Sequence, residues 1–142
     1  MIEEWKDIPG YEGRYQASNL GRIKSLPFKI SQTFKAKNQS MKEGVLCSRV
    51  ATIKGKIKKQ TIGSHGYFIC NLGLNDPQLV HRLVALAFIE NPNNLPCIDH
   101  KNSNKTDNRI QNLEWVTFAE NTQRWWSYRK SNGKIHQDHK TD

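Results

Sequence analysis

The stretch Cys97-Ile98-Asp99-His100, followed by Asn112-Leu113-Glu114-Trp115-Val116-Thr117 and then by Glu120-Asn121, is the most informative part of this chain. Residues 97–100 form one candidate strand, and the alternating residues 113–116 form a second. The intervening residues 101–111 are polar and read as a loop. The pattern predicts a short β-hairpin closed by a long polar loop.

A helix is predicted directly after this hairpin. Thr117 and Glu120 have the spacing of a capping box, in which the N-cap residue and the third helical residue bond each other's backbone. The helix should therefore begin at Phe118 and end near Tyr128 or Arg129, which places Asn121 one turn from its start. On the helix alone, Asn121 would be an ordinary solvated residue.

The flanking sequence completes an α+β fold. Residues 81–89 are dense in apolar side chains and predict a buried helix that Asn91-Pro92 ends. Residues 66–72 are a plausible strand. Near the N-terminus, turn signals at Pro9-Gly10 and Asn19-Leu20-Gly21 separate short strand-like pieces. The candidate packing residues of this β-rich N-terminal part are Trp5, Tyr11 and Tyr15.

The positive charge is concentrated in one span. The 142-residue chain has a formal net charge of +9. Residues 22–59 contain eleven Lys and Arg against one Glu, a net charge of +10, so the rest of the chain is close to neutral. Segregated charge of one sign favours a surface that contacts a polyanion. Residues 27–64, which include most of this span, lack clear periodicity and predict long loops with at most one weak hairpin.

Cysteine usage and hydropathy indicate the compartment. Cys47, Cys70 and Cys97 stand far apart without a C-x-x-C pair, which argues against a disulfide framework or a disulfide-linked partner. The N-terminus has no apolar signal core. The longest apolar run, Leu83 to Ile89, is far shorter than the roughly 20 residues of a membrane helix. We expect a cytoplasmic protein without a membrane partner, and the oligomeric state stays open.

The side chains of Asp99, His100 and Asn121 suit phosphodiester hydrolysis. That reaction needs an activated water and a cation that neutralises developing charge and assists the leaving oxygen. Mg²⁺ usually takes one or two protein oxygens and keeps several waters, so Asp99 and the side-chain carbonyl of Asn121 would suffice. His100 is the candidate base, since a neutral imidazole can accept a proton from water. Because neighbouring strand residues point to opposite faces, Asp99 and His100 can share a site only at a strand end or a distortion.

Several segments together resemble the HNH homing endonucleases of phages and mobile introns. They are V-H-R-L-V-A-L-A-F (Val80 to Phe88), N-P (Asn91-Pro92), I-D-H-K-N-S-N-K-T-D-N (Ile98 to Asn108) and N-L-E-W-V-T-F-A-E-N (Asn112 to Asn121). Residues 5–26 resemble the small nuclease-associated module often found ahead of that domain. The implied organisation is an N-terminal module (1–26), a basic DNA-contacting region (27–65), a ββα-metal nuclease domain (66–130) and a polar tail (131–142).

The resemblance also implies roles for individual residues. It makes His100 the general base, Asp99 and Asn121 the ligands of Mg²⁺ or Mn²⁺, and Asn112 the residue that braces the hairpin and helps orient the base. A plain turn residue is the alternative for Asn112. It further implies cleavage by water attack, with 5′-phosphate and 3′-hydroxyl products. The loop after the histidine departs from the family's D-G-N-K-T-N-N pattern, which affects loop shape rather than the implied ligands; the departures are Asn102, Ser103 and Asp107.

The expected partner is double-stranded DNA, held chiefly through its phosphates. The candidate contacts are Arg22, Lys24, Lys54, Lys56, Lys58, Lys59, Lys101 and Lys105. His81 is a candidate for phosphate contact or for support of the site, against a capping or packing role. Trp125 and Trp126 are expected to pack in the core, with base or sugar contact as the alternative.

Two other interpretations compete with a phage-encoded nuclease of a bacterial host cell. A non-catalytic DNA-binding protein derived from such a nuclease would use the same basic surface. The intact Asp99, His100 and Asn121 argue against that decay. An RNA-binding module is the second, but no aromatic pair of the RNP type is visible.

Overall fold

The computed structural model describes residues 2–35 and 46–132. Its strands are β1 (Trp5–Asp7), β2 (Tyr15–Ser18), β3 (Ile23–Ser25), β4 (Phe28–Lys35), β5 (Leu46–Ile53), β6 (Lys56–Ile57), β7 (Thr61–Ile62), β8 (Phe68–Asn71), β9 (Pro77–Leu79), β10 (Cys97–His100) and β11 (Leu113–Val116). Its helices are α1 (Val80–Phe88) and α2 (Phe118–Ser131), with a 3₁₀ turn at Ile110–Asn112. Lys37, Lys42 and the polar tail beyond Asn132, with His136 and His139, lie outside the described residues. The mixed α+β class is as the sequence predicts.

An antiparallel sheet forms the N-terminal part, in the strand order β1-β2-β3-β6. The predicted turn at Asn19–Gly21 joins β2 to β3, and Gly21 has a φ of +90°, which an L side chain rarely adopts. Asn19 ties this turn to the chain start, because its side chain accepts a hydrogen bond from the amide of Glu4 at 2.9 Å. Strand β6 joins the sheet from residues well beyond the predicted module, pairing with β3.

The basic span forms more regular structure than expected. In place of long loops and one weak hairpin, β4 and β5 pair over eight residues each, from Phe28↔Ile53 to Lys35↔Leu46. β-Branched residues along both strands favour this ribbon. Sequence alternation does not reveal it because the ribbon stands off the core and leaves apolar side chains exposed, including Phe34 and Val50.

One hydrophobic core joins the N-terminal sheet to the later elements. Its buried members come from the first sheet and the residue after β1, from β8 and the region after it, from α1 and from β11. They are Ile8, Tyr15, Ala17, Ile23, Cys70, Leu72, Val80, Leu83, Val84 and Leu113. Tyr15 is buried and Tyr11 packs against the core, as the sequence suggested, whereas Trp5 is only half-buried. The predicted helix over residues 81–89 is α1, displaced by one residue.

The hairpin and helix at the C-terminal end match the sequence prediction closely. Strands β10 and β11 pair antiparallel, with Asp99 opposite Glu114 and His100 opposite Leu113. The capping box forms, since Thr117 Oγ1 accepts from the amide of Glu120 at 3.1 Å and the Thr117 amide donates to the Glu120 carboxylate at 3.3 Å. Neither α1 nor α2 is long and apolar enough to cross a membrane, and the described residues contain no other candidate.

Candidate active site

Asp99 and His100 reach the same groove because β10 ends at His100. The chain turns there, with the amide of Ser103 donating to the carbonyl of His100 at 2.8 Å. Both side chains line a groove of about 1510 Å³ between the hairpin, its loop and α2. Asn121 lines it too, which the helix pattern alone would not have favoured. The strand end thus meets the geometric condition that adjacent strand residues imposed.

His100 is held in place from several sides. Only 5% of its surface is exposed, and its Nε2 lies 2.8 Å from Asn108 Oδ1. The ring of Tyr67 stacks on it at a centroid distance of 5.8 Å, and the ring of His81 meets it edge-on at 5.1 Å. Burial, and then the charge of Asp99, raises the pKa of the Tyr67 hydroxyl, so this neighbour stays neutral. The imidazole is thus enclosed by Asn108, Tyr67 and His81.

Asn112 ties together the long loop of the hairpin. Its Oδ1 accepts from the amide of Asn102 at 2.9 Å, while its Nδ2 donates to Asn102 Oδ1 at 2.9 Å and to the carbonyl of Asp107 at 2.8 Å. Its own carbonyl accepts from the amide of Lys101, directly after His100, at 2.8 Å. These bonds join the two ends of the loop and do not include the His100 ring, so a role of Asn112 in bracing the hairpin stays a prediction.

Arg124 of α2 bridges two carboxylates of the hairpin. It donates to Asp99 Oδ2 at 2.9 Å and also pairs with Glu114. The two acidic side chains sit directly opposite each other across the strands, where like charges repel, so the shared guanidinium relieves that repulsion. Its hydrogen bonds to Asp99 and then Glu114 raise the pKa of Arg124, so it stays charged. The contact also anchors α2 to the hairpin.

The donor set of the groove fits a hard divalent cation. Asp99 offers a carboxylate and Asn121 an amide carbonyl, both oxygen ligands of the kind that Mg²⁺ takes. Within residues 2–35 and 46–132, no three His, Cys, Asp or Glu side chains cluster closely enough to hold a metal by themselves. A cation here would consequently depend on few protein oxygens and on phosphate or water for the rest.

The candidate DNA-contacting residues fall into two places. Lys101 and Lys105 line the groove beside Asp99 and His100. Lys105 has a further structural role, because its ammonium donates to the carbonyl of His65 at 2.9 Å and lies 4.9 Å from the ring of Tyr67.

The other basic candidates belong to the first sheet and the segment around β6. Arg22 pairs with Glu3, and the Lys24 ammonium lies 4.2 Å from the ring of Trp5. The remaining four are exposed apart from Lys58, which is half-buried near the ring of Tyr15; they are Lys54, Lys56, Lys58 and Lys59.

The expectation that Trp125 and Trp126 pack in the core is wrong. They are 49% and 59% exposed, and none of the residues of α2 is buried. The two rings pack edge-on against each other at 4.8 Å, and the Arg129 guanidinium lies 4.6 Å from the ring of Trp125. Both tryptophans line the groove that holds Asp99 and His100. The sequence pattern failed here because α2 touches the hairpin mainly through polar side chains.

Sequence reasoning missed three neighbours of the site. They are Asn108 beside His100, and Glu114 and Arg124 beside Asp99. The spacing of Asn121 and Arg124 by three residues does place them on one helix face, which was an available signal for Arg124. No local pattern separates Asn108 from the other polar residues of its loop. His65, in the segment before β8, is exposed.

His81 is a packing residue, and its burial predicts an acid-sensitive fold. It is 7% exposed, and burial, then the charge of His100, lowers its pKa from 6.5 to about 4. The unfolded chain binds this proton more tightly, so the free energy of unfolding should fall as pH drops from 6.5 towards 4, by up to about 3 kcal/mol. Replacement of His81 by Phe should flatten the urea-midpoint profile over this range.

The matched control for this prediction is His65→Phe, at an exposed histidine. It should keep the slope of the unmodified protein. Equal slopes for the two variants would mean that His81 does not carry the acid sensitivity.

The chain matches sequence profiles of two known families. The NUMOD4 motif matches residues 3–73, half of the 142-residue chain, and an HNH endonuclease family matches residues 78–123. DNA endonuclease I-HmuI of Bacillus phage SP01 is 39% identical over 114 residues, which are 80% of this chain and 52% of the relative. The uncharacterized HNH endonuclease L247 of Acanthamoeba polyphaga mimivirus is 36% identical over 129 residues, 85% of this chain and 25% of the relative.

The fold agrees with these sequence matches. A solved structure of the HNH homing endonuclease I-HmuI, concerned with its DNA binding and cleavage, superposes with a TM-score of 0.59 at 32% identity. The match covers 93% of this chain and 60% of that chain, so this chain spans only about half to two thirds of the relative's length. The chain belongs to the HNH homing endonuclease family, in the group whose nuclease domain follows a NUMOD4 module.

Proposed function

We propose that this chain is a metal-dependent endonuclease that hydrolyses phosphodiester bonds of double-stranded DNA. The observation that carries the proposal is that Asp99, His100 and Asn121 line one groove. Asp99 and His100 come from the end of β10, and Asn121 comes from α2. The I-HmuI structure concerns DNA binding and cleavage, which supports DNA as the substrate. Nicking and double-strand cleavage are both compatible with this site.

Each side chain has a distinct task in the proposed reaction. Asp99 and Asn121 hold Mg²⁺ or Mn²⁺ through their oxygens, and the cation supplies charge neutralisation at the phosphate and the leaving oxygen. His100 accepts the proton of the attacking water. Asn112 keeps the loop after His100 closed, which holds the strand end that carries the Asp99 carboxylate and the His100 imidazole in place. The expected products carry 5′-phosphate and 3′-hydroxyl ends.

Arg124 pairs with Asp99, the residue proposed to hold the cation. Its guanidinium occupies one oxygen of Asp99, and its pairing with Glu114 gives it a second place to stay. Glu114 gives Arg124 a second partner, so Arg124 would keep an ion pair if Asp99 held a cation. This division of the two carboxylates explains why a positive side chain can lie beside the proposed metal ligand.

The direct test uses supercoiled plasmid incubated with the purified chain, with Mg²⁺, with Mn²⁺ or with a chelator. Nicked or linear plasmid should form only with a divalent cation, and product ends can be identified by ligation and phosphatase sensitivity. Binding of DNA without cleavage under every metal condition would favour the alternative, a DNA-binding protein derived from a nuclease.

We further propose that the basic residues around β6 contact DNA phosphates. Lys54, Lys56 and Lys59 are exposed there, and this is the part of the chain where like charge is concentrated. The competing role for these lysines is protection of a sheet edge from aggregation, because β6 is an edge strand.

The free cysteines at 47, 70 and 97 are compatible with action in the reducing interior of a host cell.

Replacing Lys54, Lys56, Lys58 and Lys59 together with Ala should weaken binding to all DNA sequences alike. Each phosphate contact that is lost should flatten the slope of log K against log salt by about 0.9. Fluorescence anisotropy at several salt concentrations measures both quantities. Lys6→Ala, at an exposed lysine outside the basic span, is the control and should change the slope far less. An unchanged slope in the quadruple variant would move the contact surface elsewhere.

A further inference from the structure

Asn108 is a buried polar side chain with a contact that matters to the proposed chemistry. It is 4% exposed, and its Oδ1 lies 2.8 Å from Nε2 of His100. Its Nδ2 has no hydrogen-bond partner among the described residues. A buried amide left half unpaired is costly, so its presence beside the base calls for a reason.

We propose that Asn108 is a positioning residue that fixes the tautomer of His100, and that the turn Asn19–Gly21 of the N-terminal module holds Asn108 in place. The inference rests on the proposed role of His100 as the general base. It makes the N-terminal module part of the catalytic apparatus, in addition to any part that it has in DNA binding.

The chemical argument concerns the single proton of a neutral imidazole. An amide oxygen is only an acceptor, so Nε2 of His100 must carry the hydrogen that it shares with Asn108 Oδ1. The lone pair is then on Nδ1, the other ring nitrogen. A base with its lone pair on a defined nitrogen is ready to receive the water proton, whereas the other tautomer would offer a donor there. Asn108 thereby selects the form of His100 that can react.

The second argument concerns what stands behind Asn108. A Cβ built on Gly21 would lie 2.9 Å from Asn108 Cβ, closer than real Cβ atoms approach, and 3.1 Å from the Asn108 carbonyl carbon and oxygen, which is also unusually tight. The turn and the loop are also bonded, since the amide of Ile110 donates to the carbonyl of Asn19 at 3.1 Å. Gly21 is therefore the surface against which Asn108 packs. A larger residue at position 21 must displace Asn108 from its place beside the His100 ring.

The same module contains a matched control for the glycine. Gly10 has a φ of +86°, close to the +90° of Gly21, but a Cβ at Gly10 would meet nothing within 4 Å. Gly10→Ala and Gly21→Ala thus introduce the same backbone strain. Only Gly21→Ala adds a collision with Asn108, so the difference between the two variants isolates that contact.

The closing experiment reads the tautomer directly and the reaction separately. Long-range ¹H–¹⁵N correlation spectra of the histidine rings should show His100 protonated at Nε2 in the unmodified protein and a mixture of tautomers in Asn108→Ala. Gly21→Ala should resemble Asn108→Ala, and Gly10→Ala should resemble the unmodified protein. Protonation at Nδ1 in the unmodified protein, or an unchanged tautomer in Asn108→Ala, would overturn the proposal whether or not the chain cleaves DNA.

The kinetic arm separates positioning from simple destabilisation. Asn108→Ala should lower kcat about 10- to 100-fold with little change in DNA affinity. Asn108→Asp keeps an oxygen acceptor at this position, so His100 should stay protonated at Nε2 in the spectra and much of the rate lost in Asn108→Ala should return. A folded Asn108→Asp variant that loses the Nε2 proton and the rate as fully as Asn108→Ala contradicts the proposal. If the chain cleaves nothing at all, the proposed function fails while the spectra still decide the tautomer.

Discussion

Asp99→Ala should abolish plasmid cleavage and leave DNA binding nearly unchanged. Asp99 is the one carboxylate proposed as a metal ligand, and the described residues hold no cluster that could replace it. Loss of the cation removes stabilisation of the developing charge on phosphate and leaving oxygen, an effect of several kcal/mol. We expect a rate reduction of at least about 10³-fold, which corresponds to about 4 kcal/mol in the activation barrier.

A second carboxylate makes this experiment specific. Asp99→Ala also releases Arg124 from one of its partners, so a lower rate has two explanations. Glu114→Gln likewise weakens the hold on Arg124 but keeps Asp99. Plasmid cleavage under matched Mg²⁺, with anisotropy as the measure of binding, should show a far smaller loss for Glu114→Gln. Comparable losses in both variants would assign the effect to Arg124, and cleavage by Asp99→Ala at the unmodified rate would exclude the metal-ligand role.

His100→Ala should lower the cleavage rate by about 10²- to 10⁴-fold, the usual contribution of general base catalysis. The unmodified enzyme should also lose activity as acid protonates the imidazole, and this acid limb should be missing from the residual activity of the variant. Single-turnover cleavage across neutral and mildly acidic pH measures both effects. A flat profile for the unmodified enzyme, with chemistry rate-limiting, would count against His100 as the base.

The control for His100→Ala is His65→Ala. His65 is exposed and meets the site only through its backbone carbonyl, which accepts from Lys105 and is present in either residue. The control should keep both the rate and the acid limb. A loss in His65→Ala similar to that in His100→Ala would indicate a general effect on the fold instead.

Local sequence predicted the hairpin and helix that carry the proposed site because their determinants are local. Four-residue strands with a polar loop between them, and the pair Thr117 and Glu120, define these elements from nearby residues alone. Because neighbouring side chains alternate in a strand, the sequence required either a strand end or a distortion for Asp99 and His100 to share a site, but did not decide between them. In the structure β10 ends at His100.

What the sequence could not predict depends on contacts between distant segments. Asn108 acquires its position from a glycine 87 residues earlier, a relation with no trace in the loop itself. The exposure of Trp125 and Trp126 depends on which face of α2 meets the hairpin, and two consecutive tryptophans do not reveal that face. The sequence did not predict the β4–β5 ribbon, because alternation of apolar and polar residues marks strands with one buried face, and the ribbon is not buried against the core.

The core shared by the N-terminal sheet, α1 and β11 constrains how such chains can recombine. One folded part of a chain can be exchanged most easily where a linker crossed by few contacts separates it from the rest. Here Ile8 and Ile23 of the module pack in the same core as Val84 and Leu113 of the nuclease part. An incoming module would have to bring a matching apolar face as well as a turn that fits against Asn108. The two parts are therefore expected to stay together, because replacing either one alone would open this shared core.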